Sequence, residues 1–162
     1  MTRPKRTLVM GVGNTLMQDD GAGIHVTELL RQSAAAGSME IVDGGTIGLS
    51  LLPLLEDADN VIVVDASEIG KPPGSVAVFR NAEIDQLLSA RRRTVHEVAL
   101  MDLFAAAAIR GRSPTERALV AIQPACTEPG LDPTPAVRAA TLSACEAVLS
   151  LARQWRTQEA AA

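Results

Sequence analysis

Apolar runs alternate with amphipathic stretches along the whole chain, and this rhythm predicts strands and helices in turn. Thr7 to Val12 is a short apolar run closed by Gly13 and Asn14, the pattern of a first strand. Beyond a loop, a helical pattern runs from about Asp20 to Ser33, with Asp19 as its expected N-cap and the segment Ala34 to Gly37 as its stop. Met39 to Val42 reads as strand two. Asp43, Gly44 and Gly45 are expected to turn the chain, Thr46 to cap, and Leu49, Leu52 and Leu55 to mark a short helix with Pro53 early in it. Val61 to Val64 is an uninterrupted apolar quartet that ends directly in Asp65, as a central strand covered on both faces would.

The second half continues the rhythm. Lys71, Pro72, Pro73 and Gly74 signal a turn, and Ser75 to Phe79 then alternates like a half-buried, antiparallel edge strand. Arg80 to Arg93 is polar and reads as a loop. Thr94 begins a helix carrying Val98, Met101, Leu103 and Phe104, with His96 in its first turn and Gly111 as its stop. Ala118 to Ile122 is the last strand, Gln123 to Pro133 a loop with three prolines, and about Thr134 to Trp155 a closing helix. Strands alternating with helices imply right-handed crossovers and an α/β fold: one domain over 1–162, with a mostly parallel, twisted sheet of about five strands and helices on both faces. Residues 1–6 and 156–162 are expected to fray. In such a sheet ligands bind outside the carboxyl ends of the strands, where the strand order reverses.

Composition narrows the picture. Aromatic residues make up 2% of the 162 residues against 47% hydrophobic overall, so Leu, Val, Ile and Ala must build the core. A net charge of −4 argues against a nucleic-acid surface, because phosphate binding relies on clustered Lys and Arg. The basic start from Met1 to Arg6 resembles a leader, but Gly11, Gly13 and Asn14 interrupt the apolar run that follows. No stretch approaches the roughly 18 apolar residues a membrane span needs. Two cysteines, Cys126 and Cys145, suit neither a zinc knuckle nor a disulfide framework, and a reducing cytoplasm fits them best.

Three metal-competent side chains fall where a strand gives way to a loop or helix: Asp20, Asp65 and His96. A carboxylate directly after a buried apolar strand must be solvated, bonded by loop amides or bound to something, which makes Asp65 the hardest to explain without a site. The helix dipole would hold Asp20 ionised and lower the basicity of His96, leaving a neutral imidazole that can ligate metal. Asp19 is explained by helix capping alone, His25 as a surface residue, and Cys126 as an inert thiol. Arg91, Arg92 and Arg93 read as a solvated run, with a second reading in which they attract an acidic tail. Gly11, Gly13 and Asp43 invite a dinucleotide site as a rival. Against it, Leu16 stands where the third glycine of the fingerprint belongs, and Asp19 and Asp20 would repel a pyrophosphate. No motif of covalent catalysis is present.

Taken together, Gly11-Val12-Gly13-Asn14, Asp19-Asp20-Gly21, Asp43-Gly44-Gly45-Thr46, Val64-Asp65-Ala66 and Thr94-Val95-His96 resemble the maturation endopeptidases of nickel-iron hydrogenases, from about Leu8 to Leu151. The resemblance implies a protease that trims the C-terminal extension of the hydrogenase large-subunit precursor after nickel insertion. It also implies Asp20, Asp65 and His96 as metal ligands and catalytic groups, with nickel supplied by the precursor. Some members carry Glu where this chain has Asp20. Asp43, Gly44, Gly45 and Thr46 match a family loop expected to face the substrate. A nucleotide- or small-ligand-binding module and a non-hydrolytic nickel-handling protein are the competing classes.

Overall fold

The computed structural model describes residues 3–90 and 94–162. Five strands form one sheet: β1 (Thr7–Val12), β2 (Glu40–Gly45), β3 (Asn60–Ala66), β4 (Val76–Arg80) and β5 (Glu116–Ile122). Their order is β2-β1-β3-β5-β4, all neighbours parallel except β4, which runs antiparallel to β5 at the edge. The helices are α1 (Ala22–Gln32), α2 (Leu52–Asp57), α3 (Ala82–Ser89), α4 (Val95–Ile109) and α5 (Pro135–Ala161).

Period-two alternation in the strands builds two aliphatic layers. Leu8, Met10, Val61, Val63 and Leu119 face α2, α3 and α4, where they meet Leu55, Ile84, Leu100 and Leu103. Val9, Ile62, Val64, Val120 and Ile122 face α1 and α5, against Val26, Leu30, Val148 and Trp155. Asp65 follows Val63 by two positions, so it projects on the α4 side of the sheet, buried to 3% exposure. The chain reverses direction across the sheet between β1 and β3, since one leads outward to β2 and the other toward β5. That reversal opens the crevice in which Asp20 and Asp65 stand.

Several elements depart from the sequence expectation. The segment read as a polar loop holds α3, whose Ile84 and Leu88 are buried four residues apart under the sheet; Arg91, Arg92 and Arg93 lie outside the described residues. β2 extends through Asp43, Gly44 and Gly45, because a register shift between Gly11 and Val12 lets Val12 pair with Gly45. A single 3₁₀ turn, Gln18–Gly21, precedes α1, so the helix starts at Ala22 and Asp19 does not cap it. Thr46 caps nothing: Gly48 precedes the 3₁₀ turn Leu49–Leu51 that leads into α2. α5 continues through the Ala-rich tail expected to fray. No helix among the described residues is long and apolar enough to cross a membrane.

Candidate functional site

Each of the three side chains is delivered to the crevice by a different local device. Asp65 is the next-to-last residue of β3, with Ser67 N–H donating to Ile122 O just beyond it at 3.0 Å. His96 occupies the second position of α4, whose start is fixed by a capping box. Thr94 Oγ1 accepts from Glu97 N–H at 3.2 Å, and Glu97 Oε2 accepts from Thr94 N–H at 2.8 Å. Asp20 stands on the 3₁₀ turn after β1, and its Oδ2 accepts the Asn14 N–H at 3.1 Å.

The imidazole lies between the two carboxylates. His96 Nε2 is 3.7 Å from Asp20 Oδ2, and His96 Nδ1 is 3.9 Å from Asp65 Oδ1. Both separations exceed a good hydrogen bond, so these are ion-pair contacts. Among the described residues no three His, Cys, Asp or Glu side chains are gathered tightly enough to hold an ion as they stand. The geometry explains why: the trio meets through opposite nitrogens of one ring, not at a common point.

Electrostatics mark Asp65 and His96 as unusual. Burial pushes the Asp65 carboxyl up to about 6 from 3.8, opposed by the neighbouring imidazole. Its Oδ1 has no hydrogen-bond partner among the described residues, an arrangement that costs stability unless a ligand or cation completes it. His96 is raised above its ordinary 6.5, chiefly by Asp65 and against the effect of burial. The sequence expectation of a less basic imidazole is thus reversed, because two facing carboxylates outweigh the dipole of the helix start. Two carboxylate oxygens and an imidazole nitrogen are donors that a divalent cation accepts, provided the ring turns so that they converge.

Other expected residues fall into place around this centre. Asp43 is exposed and turns its Oδ1 back to the Gly45 N–H at 2.8 Å, and Gly45 O accepts the Gly13 N–H at 2.8 Å, tying the Asp43–Thr46 segment to the loop after β1. Thr46 is exposed beside it. Gly11 has a packing role: a Cβ there would lie 2.4 Å from Gly23 O, so the residue is needed for α1 to press on β1. His25 is half-buried on α1, with its Nδ1 3.7 Å from Glu28. Asp19 was read only as a cap, yet it is completely buried and accepts from Ala125 N–H at 2.8 Å, Cys126 N–H at 3.0 Å, Thr134 N–H at 2.6 Å and Thr134 Oγ1 at 2.8 Å. Burial alone would raise its pKa, but these donors together hold it below 3.8. Two successive acids cannot share one orientation at a chain turn, and that was the available signal. A concave region at the other end of the sheet, around Asn81 and Phe104, offers no free cation: Arg117 is paired with Asp85 at 2.9 and 3.1 Å and lies 5.0 Å over the Phe104 ring.

The profile of the hydrogenase maturation protease family matches residues 24–151. The chain belongs to the hydrogenase maturation protease family. The match takes in Asp43, Asp65 and His96 and begins just after Asp20. The hydrogenase 2 maturation protease of Escherichia coli strain K12 is 34% identical over 151 residues, which are 92% of each chain. The hydrogenase expression/formation protein HupD of Bradyrhizobium diazoefficiens is 33% identical over 156 residues, 95% of this chain and 81% of its own. Its Rhodobacter capsulatus namesake is 35% identical over 123 residues; there the aligned part spans 75% of this chain and only 59% of the relative. Among solved structures, the hydrogenase maturating endopeptidase HybD from Escherichia coli superimposes with a TM-score of 0.84 at 33% identity, covering 92% of this chain and 93% of that one. The maturation protease HybD from Thermococcus kodakarensis gives 0.76 at 26% identity, covering 90% and 98%. These solved structures thus share the fold of this chain over about nine-tenths of its length.

Proposed function

We propose that the protein is a nickel-dependent endopeptidase that removes the C-terminal extension of a nickel-iron hydrogenase large-subunit precursor after nickel insertion. The observation that carries this reading is the meeting of Asp20, His96 and Asp65 at the sheet's reversal point, with a buried carboxylate oxygen left unbonded, in a chain of the maturation protease family. Nickel arrives as part of the substrate. Held by the precursor and met by Asp20, Asp65 and His96, it would supply Lewis-acid polarisation to the bond that is cut or serve as the handle by which the precursor is recognised.

The chain's own residues have separable tasks in this reading. Asp20 and Asp65 offer oxygen donors on either side of the crevice, and His96 offers a nitrogen once its ring turns from one of the two carboxylates. Until then the imidazole, when protonated, faces both carboxylates and offsets part of the negative charge they bring together. Asp43 and Thr46 are exposed and Gly44 and Gly45 half-buried, and the bond from Gly13 N–H to Gly45 O ties this segment to the loop that leads to Asp20, which supports its role in meeting the precursor. Two unpaired cysteines suit action in the cytoplasm.

Incubation with nickel-loaded and nickel-free precursor, followed by intact-mass measurement, tests the proposal. Loss of a C-terminal fragment from the nickel-loaded form alone is expected, and alanine at Asp20 or His96 should abolish it with little change in melting temperature. A nickel-loaded precursor that stays full length beside folded protein rejects the reading.

A further inference from the structure

We infer that Asp19 is a positioning residue for Asp20: its buried carboxylate locks the loop between β5 and α5 onto the loop between β1 and α1, and so fixes where the neighbouring acid stands. This inference rests on the peptidase reading. The two adjacent carboxylates face different ways. Asp20 turns toward His96, whereas Asp19 has 0% exposure and is enclosed by four donors from Ala125, Cys126 and Thr134.

The backbones of the two loops are joined as well. Gln18 N–H donates to Gly130 O at 2.9 Å, Gly130 N–H to Leu16 O at 2.9 Å, and Asp19 N–H to Cys126 O at 3.1 Å. Between these contacts Gln18 is held at φ +46°, a conformation that non-glycine residues adopt at a cost and keep only where their surroundings enforce it. Asp19 supplies that enforcement from one side, and the Asn14 N–H bond to Asp20 Oδ2 registers the result on the other. One peptide unit separates the lock from the ligand. A functional group held to within about 0.5 Å needs such support, because a small shift of its backbone carries the whole carboxylate with it.

Asp19→Asn is the sharpest perturbation, since its amide N–H₂ must face at least one of the four donors. The full-length variant is compared with wild type for kcat/KM on nickel-loaded precursor and for hydrogen exchange of the Asn14 amide by NMR. Expected are a fall in kcat/KM of about 10- to 100-fold, the range for removing a group that supports a metal ligand, and faster exchange at Asn14. Thr134→Val, which deletes only the hydroxyl bond, should give a smaller change in the same direction, and Thr134→Ser should restore it. Val148→Ala, in the α5 core, reports what lost stability alone does and should leave both readouts near wild type. If Asp19→Asn fails to fold, the two Thr134 variants decide. Wild-type Asn14 protection and wild-type kcat/KM in Asp19→Asn, or in Thr134→Val where that is the variant that folds, overturn the inference while leaving the peptidase reading intact. A wild-type protein that cuts no precursor rejects the peptidase reading, and the Asn14 amide still judges the lock.

Discussion

Replacing Asp65 with asparagine keeps the shape of the side chain and removes its charge, so it isolates what the buried carboxylate costs the fold. A folded-state pKa of about 6 against an ordinary 3.8 means that the native protein binds this proton more tightly than the unfolded chain. Stability is therefore lost as pH rises from about 4 to about 6, and the full cost remains above that window. At about 1.36 kcal/mol per pKa unit, the cost is on the order of 3 kcal/mol. His96 acts in a different window: its raised pKa contributes stability below 6.5 that disappears as pH rises through the folded value, and Asp65 is the main cause. The imidazole contributes less the further the pH stands above 6.5, so pH 8 shows more of the benefit of the neutral amide than pH 5 does. Asp65→Asn should then melt roughly 6 to 12 °C above wild type, taking about 2–4 °C per kcal/mol for a domain of this size. At pH 5 the gain should shrink, because much of the wild-type carboxyl is already protonated and the variant loses its support of His96. Precursor processing should be abolished throughout. Thermal melts at the two pH values make the test. A variant that melts at or below wild type at pH 8 refutes the reasoning, since it would mean the carboxylate is satisfied where it stands.

Two further substitutions probe the supports of the site. Gly23→Ala places a Cβ 2.1 Å from Val64 O and 2.5 Å from Val12 O, both backbone atoms that cannot yield, so α1 must lift from the sheet. Urea unfolding should show a loss of about 3 kcal/mol, the upper end of overpacking, and a loss under about 1 kcal/mol would contradict the close approach. Thr94→Ala removes the cap that starts α4, and the same assay should show about 1 kcal/mol lost together with slower processing, while Thr94→Ser stays near wild type.

Most of the fold is legible in the sequence, because its signals are local. β1 follows its apolar run residue for residue, the proline-glycine turn before β4 marks the antiparallel edge, and Thr94 with Glu97 announces the start of α4. Where the reading failed, a contact distant in sequence had replaced a local preference. Asp43, Gly44 and Gly45 have turn chemistry, yet a register shift on β1 draws them into β2. The segment before Arg91 looked polar because its few apolar residues are spaced for one helical face, and α3 formed where the sheet offered that face a surface.

By itself the sequence determined the alternating elements, the aliphatic core and the placing of Asp20, Asp65 and His96 at strand and helix ends, since hydrophobic period, capping and turn residues act within a few positions. The division of labour between Asp19 and Asp20 was settled only in three dimensions. One acid is swallowed by a loop more than a hundred residues away, and the other is turned to the crevice. The raised basicity of His96 also has its cause there, because the charge on an imidazole depends on which groups surround it in space, and strand order, not chain order, chose the two carboxylates between which it lies.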